Sequence, residues 1–366
     1  MVTRFPQRMR GFGLVEILVG VTIGLLALLI IYQVLALSEG YKRTTTAGGD
    51  AQSTGMIASF LIAQELGNGG NTVSEAGLET AACPNTGDFA TTWRPIPVLI
   101  RDGGADNLSD SFDVYFGVNP VLVTPVRTVN VSNPGNDILV QSPIGWAANQ
   151  TFLITNQTGQ CEVGTVQSLV VDPPPFVTAT TGNIGLRPVA AIGATYNQGP
   201  TRVISLGLGP QKVRFDINGD ALRRQNLLGG GAPTPLASNV TLMKAQYGLD
   251  TDNDRVIDTW ASARNAPWRE ADVLAAPLAQ LRQIRAVRFA LVVRSSQLER
   301  QFDAEGRDVA SAASITGNFV TDLFPCNGLV PCTGEMLGVT LPTSSGFRYR
   351  VFEQSVALRN QIWNSL

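Results

Sequence analysis

Apolar residues run almost without a break from Phe12 to Leu37, and no later stretch of the chain matches that run. Its 26 residues make a helix of about 39 Å, longer than the ~30 Å hydrocarbon core of a bilayer. No charge falls between Ile17 and Ile31. Residues 38–66 are polar with an apolar stripe: Met56 with Phe60, and Ile57 with Leu61, each four apart. That spacing predicts a continuing helix with a face that wants cover. Gly48-Gly49 predict a bend or local melting, because glycine costs about 1 kcal/mol against alanine inside a helix. Gly67 to Gly70 predict the stop.

Beyond residue 80 the pattern shortens to that of strands. Candidates are Phe112 to Phe116, Ile138 to Val140, Phe152 to Ile154, Val166 to Val171, Val203 to Leu208, Val240 to Tyr247, Val287 to Val293 and Tyr349 to Phe352. Val213, Phe215 and Ile217 alternate before Asn218-Gly219, and Ala221 to Gln225 returns as a hairpin partner. Ala271 to Leu281 reads as a short helix. The expected organisation is a leader at 1–11, a long helix over 12–66 that is transmembrane over 12–37, a loop-rich β lobe at 67–200 and a compact β-rich lobe at 201–366. This is an α+β chain.

Charge sharpens the reading of the first forty residues. Arg4, Arg8 and Arg10 precede the apolar run, while Glu39, Lys42 and Arg43 follow it. The arginines favour an amino terminus on the cytoplasmic side, with the rest of the chain outside. Glu16 sits about one turn into the helix, where a carboxylate is costly unless it is paired, protonated or near the interface. Cleavage after Gly11 would create a partner, the new ammonium group of Phe12. That group can belong to the same chain or to a neighbouring helix, and the pairing would fix axial register between subunits.

The segment Gly11-Phe12-Gly13-Leu14-Val15-Glu16 resembles the processing site of type IV prepilins. The resemblance implies that a membrane peptidase cuts between Gly11 and Phe12, that Phe12 is then N-methylated, and that Glu16 acts in assembly. Gly13 stands where Thr or Ser is usual, and Val15 where Ile is usual; neither change alters the expected cut. A second resemblance lies late in the chain. Gln246-Tyr247-Gly248-Leu249-Asp250, the acidic turn after it, the strand through Arg294, Tyr349-Arg350-Val351-Phe352 and Val356-Ala357-Leu358-Arg359-Asn360 are similar to the PilW family of type IV pilus minor pilins.

What the family implies is a type IV pilin-like fold, with the long helix packed on an antiparallel, sheet-rich head carrying large loop insertions. It also implies a structural subunit, not an enzyme, in a minor-pilin complex that primes filament assembly and caps the tip. The implied partners are other minor pilins and the major pilin through the helix, a tip adhesin-like protein, the prepilin peptidase and the inner-membrane assembly platform. The implied location is the bacterial inner membrane with the head in the periplasm, then the extracellular pilus. A minor pseudopilin of a type II secretion tip is the alternative, and a membrane-anchored binding protein a further one.

Composition narrows the chemistry. The 366 residues include no histidine, which removes histidine triads, histidine-ligated zinc and histidine pH switching. The formal charge is −2, and it becomes −5 if the leader takes its three arginines with it. No basic tract points to nucleic acid. The four cysteines allow three pairings. The five-residue spacing and Asn327-Gly328 turn favour Cys326–Cys332, which leaves Cys83–Cys161; an exported head would meet oxidising conditions. No cofactor is required by the sequence. Asp250, Asp252, Asp254 and Asp258 are nonetheless candidate calcium ligands. They open like an EF-hand loop, but Arg255 stands at the glycine position and the twelfth-position glutamate is missing. A different calcium loop and a solvated acidic turn both remain open.

Overall fold

The computed structural model describes residues 13–72, 83–86, 89–93, 96–104, 108–119, 121, 125–131, 137–142, 144–156, 161–171, 184–190, 192, 196, 201–228, 230–296, 322–324, 337–338, 347 and 349–360. Gly11, Phe12, Cys326 and Cys332 lie outside the described residues.

The amino-terminal part of the chain is one helix of 55 residues, α1 (Leu14–Asn68). Gly48 and Gly49 neither bend it into two elements nor end it. Strands follow in chain order: β1 (Cys83–Thr86), β2 (Phe89–Trp93), β3 (Val98–Arg101), β4 (Ser111–Phe116), β5 (Val126–Val131), β6 (Ile138–Val140), β7 (Thr151–Thr155), β8 (Cys161–Val171), β9 (Ile184–Pro188), β10 (Arg202–Gly207), β11 (Gln211–Asn218), β12 (Ala221–Asn226), β13 (Thr234–Ser238), β14 (Val240–Leu249) and β15 (Thr259–Ser262). Two short helices, α2 (Glu270–Ala275) and α3 (Leu278–Leu281), precede β16 (Ile284–Arg294), β17 (Asp322–Leu323), β18 (Leu337–Gly338) and β19 (Tyr349–Ala357). Ala271 to Leu281 is therefore two helices, divided at Pro277, which lacks the N–H a continuous helix needs.

Among the described residues every strand pairing is antiparallel, and three sheets matter. One has the order β13-β12-β11-β4-β3, one the order β15-β14-β16-β19, and β10-β5-β6-β9-β8-β7 close into a barrel. The β11–β12 hairpin forms as its sequence predicts. Its two central residues, Gly219 (φ 59°) and Asp220 (φ 56°), are both left-handed, the geometry whose twist suits a two-residue hairpin.

The expected boundary at residue 200 does not follow the sheets. β4 pairs with β11, Gln211 opposite Phe116, so residues 98–116 and 211–238 share one sheet. The chain leaves that sheet after β4, builds the barrel from β5 to β10, and re-enters at β11. What the sequence predicts as a loop-rich lobe contains a closed barrel with its own core of Ile138, Trp146, Phe152, Ile154, Val166, Leu186 and Val203. Closure leaves no free sheet edge in that unit.

A second core unites α1 with the two open sheets. β16 is one of the two inner strands of its sheet and is buried on both faces. Phe289, Leu291 and Val293 face the main core, while Ala290 and Val292 pack with Leu242, Leu323, Phe324 and Tyr349. The open sheets are also tied by polar contacts: the Ile100 N–H donates to Tyr247 Oη at 2.6 Å, and Asp110 accepts from Lys244 Nζ and the Ala245 N–H, each at 3.0 Å.

The stripe expected to cover α1 is not the one that is buried. Met56, Ile57 and Phe60 stay exposed, Phe60 at 65 %. The buried face is Ala47, Ala51, Gly55, Ala58, Ile62 and Leu66. Size decides here more than hydrophobicity, because small side chains let the helix axis lie close to the strands. Gly55 shows the limit: a Cβ there would stand 2.0 Å from the Phe352 ring. Gly55→Leu is expected to destabilise the detergent-solubilised protein by about 1–3 kcal/mol through overpacking. At Gly49 an added Cβ meets nothing within 4 Å, and Gly49→Ala is expected to stabilise by up to ~1 kcal/mol. Denaturant midpoints of the two variants check both signs.

Candidate functional site

Three places carry chemistry: the bare half of α1, its seam with the head, and the loop joining β14 to β15. Leu14–Leu35 is long and apolar enough to cross a membrane, and none of that window is buried against the head. Gly13 precedes the helix in an extended conformation, and its carbonyl accepts the Glu16 and Ile17 N–H groups at 3.0 and 3.2 Å. Glu16 lies in the first turn, where the helix dipole favours a negative charge. Thr22 hides its hydroxyl by donating to the Val19 carbonyl at 2.9 Å. Gly20 and Gly24, one turn apart, have no neighbour within 4 Å of a would-be Cβ. Such a pair lets another backbone come close in a membrane. Reading for apolar content alone passes over that notch, although the G-x-x-x-G spacing marks it.

The other end of α1 is clamped. Glu65 pairs with Arg224 of β12 at 2.8 Å. Asn360, just past β19, donates through Nδ2 to the Asn68 and Gly69 carbonyls at 3.3 and 3.1 Å. The Gly70 N–H donates to the Tyr115 carbonyl at 2.8 Å. The Asn360 amide thereby caps a carbonyl that the helix end leaves without an intrahelical partner.

The β14–β15 loop spans residues 250–258. One carboxylate oxygen from each of Asp250, Asp252 and Asp254 lies within 4.8 Å of the others. Asp250 is fully buried; Asp252 and Asp254 are exposed. Asp250 Oδ2 accepts from Arg285 Nε at 3.1 Å and from the Arg255 N–H at 3.2 Å. Asp258, the fourth expected ligand, lies outside the group. Its Oδ2 accepts from the Thr251 N–H and Oγ1 at 2.6 and 2.7 Å. The Thr251 hydroxyl and then its backbone N–H hold the Asp258 carboxyl below the usual range. Asp258 thus braces the loop ends.

Cys161 is buried and disulfide-bonded. The Cys83 backbone opens β1, which lies against β8, the strand that Cys161 opens. The pairing we propose is Cys83–Cys161. Non-reducing peptide mapping is expected to join their two peptides, and Cys161→Ala to cost about 2–5 kcal/mol of stability. A Cys161 peptide linked to either of the other cysteines would contradict the pairing.

Two family models match the chain. Residues 216–360 match type IV pilus-assembly protein W, and residues 6–32 match the prokaryotic N-terminal methylation motif. No curated protein and no solved structure matches. The matched parts are the bare helix and the region containing the four-stranded sheet that grips its other half; the barrel lies in neither. An apolar amino-terminal helix followed by a strand-rich head fits an α+β pilin-like layout and a membrane-anchored pilin. Together, the matches at the two ends directly support a PilW-type minor pilin carrying the amino-terminal methylation motif.

Proposed function

We propose that this minor pilin waits in the inner membrane with its head in the periplasm, then enters a minor-pilin complex that primes filament assembly and caps the tip. The observation that carries the reading is the division of α1. One half is gripped by the head, and the other half, Leu14–Leu35, shows apolar side chains on all sides. Only lipid or other apolar helices can cover that half. A bilayer gives little hydrophobic gain when helices associate within it, so packing and polar pairing have to select the partners. Gly20, Gly24 and Glu16 supply those two elements.

The proposed processing is cleavage between Gly11 and Phe12 by the prepilin peptidase, followed by N-methylation of Phe12. The ammonium group so made is the partner of Glu16, within the chain or on a neighbour. Other minor pilins and the major pilin contact the helix, the inner-membrane platform extracts it, and an adhesin-like protein sits on the head. A wide head on a single rod restricts how many copies can stack, which favours a terminal position over the filament body. The match over residues 216–360 favours a pilus over a secretion system.

Glu16→Ala is expected to leave membrane insertion unchanged and to reduce co-purification with other minor pilins by at least about tenfold, the effect of losing ~1.4 kcal/mol. Quantitative pull-down from solubilised membranes reads this. Equal recovery of both forms would remove Glu16 from assembly.

A further inference from the structure

We propose that the loop between β14 and β15 is a calcium site, with Asp250, Asp252 and Asp254 as its protein carboxylate ligands. The inference goes beyond the pilus reading and does not depend on it.

The decisive atom is Asp250 Oδ1. It is buried and has no hydrogen-bond partner. Leaving a buried acceptor unsatisfied is costly, and more so on a charged group. Seven buried side-chain atoms among the described residues lack such a partner, and the only other carboxylate oxygen among them is Glu65 Oε2; three buried aspartates of the head have both oxygens occupied. Both oxygens of buried Asp113 accept from Arg214, at 2.8 and 3.1 Å. Both oxygens of Asp137 accept from Arg187, at 2.8 and 3.1 Å. Asp110 accepts the Gly103 N–H and Lys244 on one oxygen and the Ala245 N–H on the other. Asp250 is held by only one oxygen, through Arg285 and the Arg255 N–H. Its other oxygen belongs to a residue grouped with two exposed carboxylates that bring more negative charge.

Charge points the same way. The ion pair at the group is that of buried Arg285 with Asp250, and Asp252 and Asp254 add two further carboxylates that a divalent ion can neutralise. The donors are all hard oxygens, and no histidine exists to favour a transition metal. Calcium binds oxygen at 2.3–2.6 Å, so ligands on opposite sides of it stand up to roughly 5 Å apart. The 4.8 Å grouping fits inside that span. Magnesium holds oxygens at 2.0–2.1 Å in a rigid octahedron and gives up its water reluctantly. A loop with one buried and two exposed ligands suits the more adaptable ion, with water and backbone carbonyls filling the remaining positions. The sequence objection at residue 255 also falls away. A glycine there would serve a sharp turn, and Arg255 itself adopts φ 72°, the left-handed conformation the turn needs.

The test uses the full-length protein, stripped with chelator and kept in detergent, titrated calorimetrically with calcium chloride and separately with magnesium chloride. Thermal unfolding is followed with and without each ion. Saturable calcium binding by the millimolar range, with a raised unfolding midpoint and at least tenfold weaker magnesium binding, is expected. The double variant Asp252→Asn/Asp254→Asn alters only exposed side chains, and its circular dichroism should match the parent; calcium affinity is expected to fall at least tenfold. No saturable binding at millimolar calcium, equal response to magnesium, or unchanged affinity in the folded double variant would each overturn the proposal.

Discussion

A single helix has to satisfy two surroundings, and the seam where it passes from one to the other sets the rest of the molecule. Over Leu14–Leu35 it shows apolar side chains in every direction. From Ala47 onward one face is buried, and that face is built from alanine and glycine until Ile62 and Leu66. Small residues give away hydrophobic area but gain proximity, and β19 uses that proximity by setting Phe352 against Gly55. The register of β16 and β19, Leu291 opposite Phe352 and Arg294 opposite Tyr349, then decides which side chains meet the helix. Asn360 caps the helix end from the same strand's exit. Sliding the helix by one turn would take Gly55 away from Phe352 and Asn68 away from Asn360 together.

The barrel shows how a large head can be added without disturbing that seam. It is inserted between β4 and β11, which are themselves paired, so the five-stranded sheet is continuous across the insertion. The barrel carries a separate apolar core. Its own closure satisfies its strand edges, while Leu153, Cys161, Ile204 and Leu206 join the core that holds α1, so that side of the barrel is fixed by the helix-gripping unit.

How much of this was legible in the sequence follows the range of the interactions involved. The long helix and the Asn218-Gly219 hairpin are local, and both appear as expected, as do the short strands at Ile138 to Val140 and Phe152 to Ile154. The barrel depends on β10 pairing with both β5 and β7. Nothing in the alternation of residues 126–207 announces such distant partners, so the sequence predicts short strands in a loop-rich lobe but not their closure into a barrel. The buried helix face differs from the most apolar stripe because Met56 and Phe60 are more apolar than Ala51 and Gly55, whereas the strands select for size. In the acidic loop, spacing identified the carboxylates but gave all four one role. Only the fold shows Asp250 buried, Asp258 turned to Thr251, and Arg285 arriving from β16.

The most direct measurement is the intact mass of the protein recovered from cell membranes together with the pilins bound to it. A chain that begins at Phe12, carries one methyl group on its amino nitrogen and retains neighbouring minor pilins is the predicted result. A chain that keeps residues 1–11 and purifies alone would contradict the central claim, since no ammonium group would then exist at the membrane edge to meet Glu16.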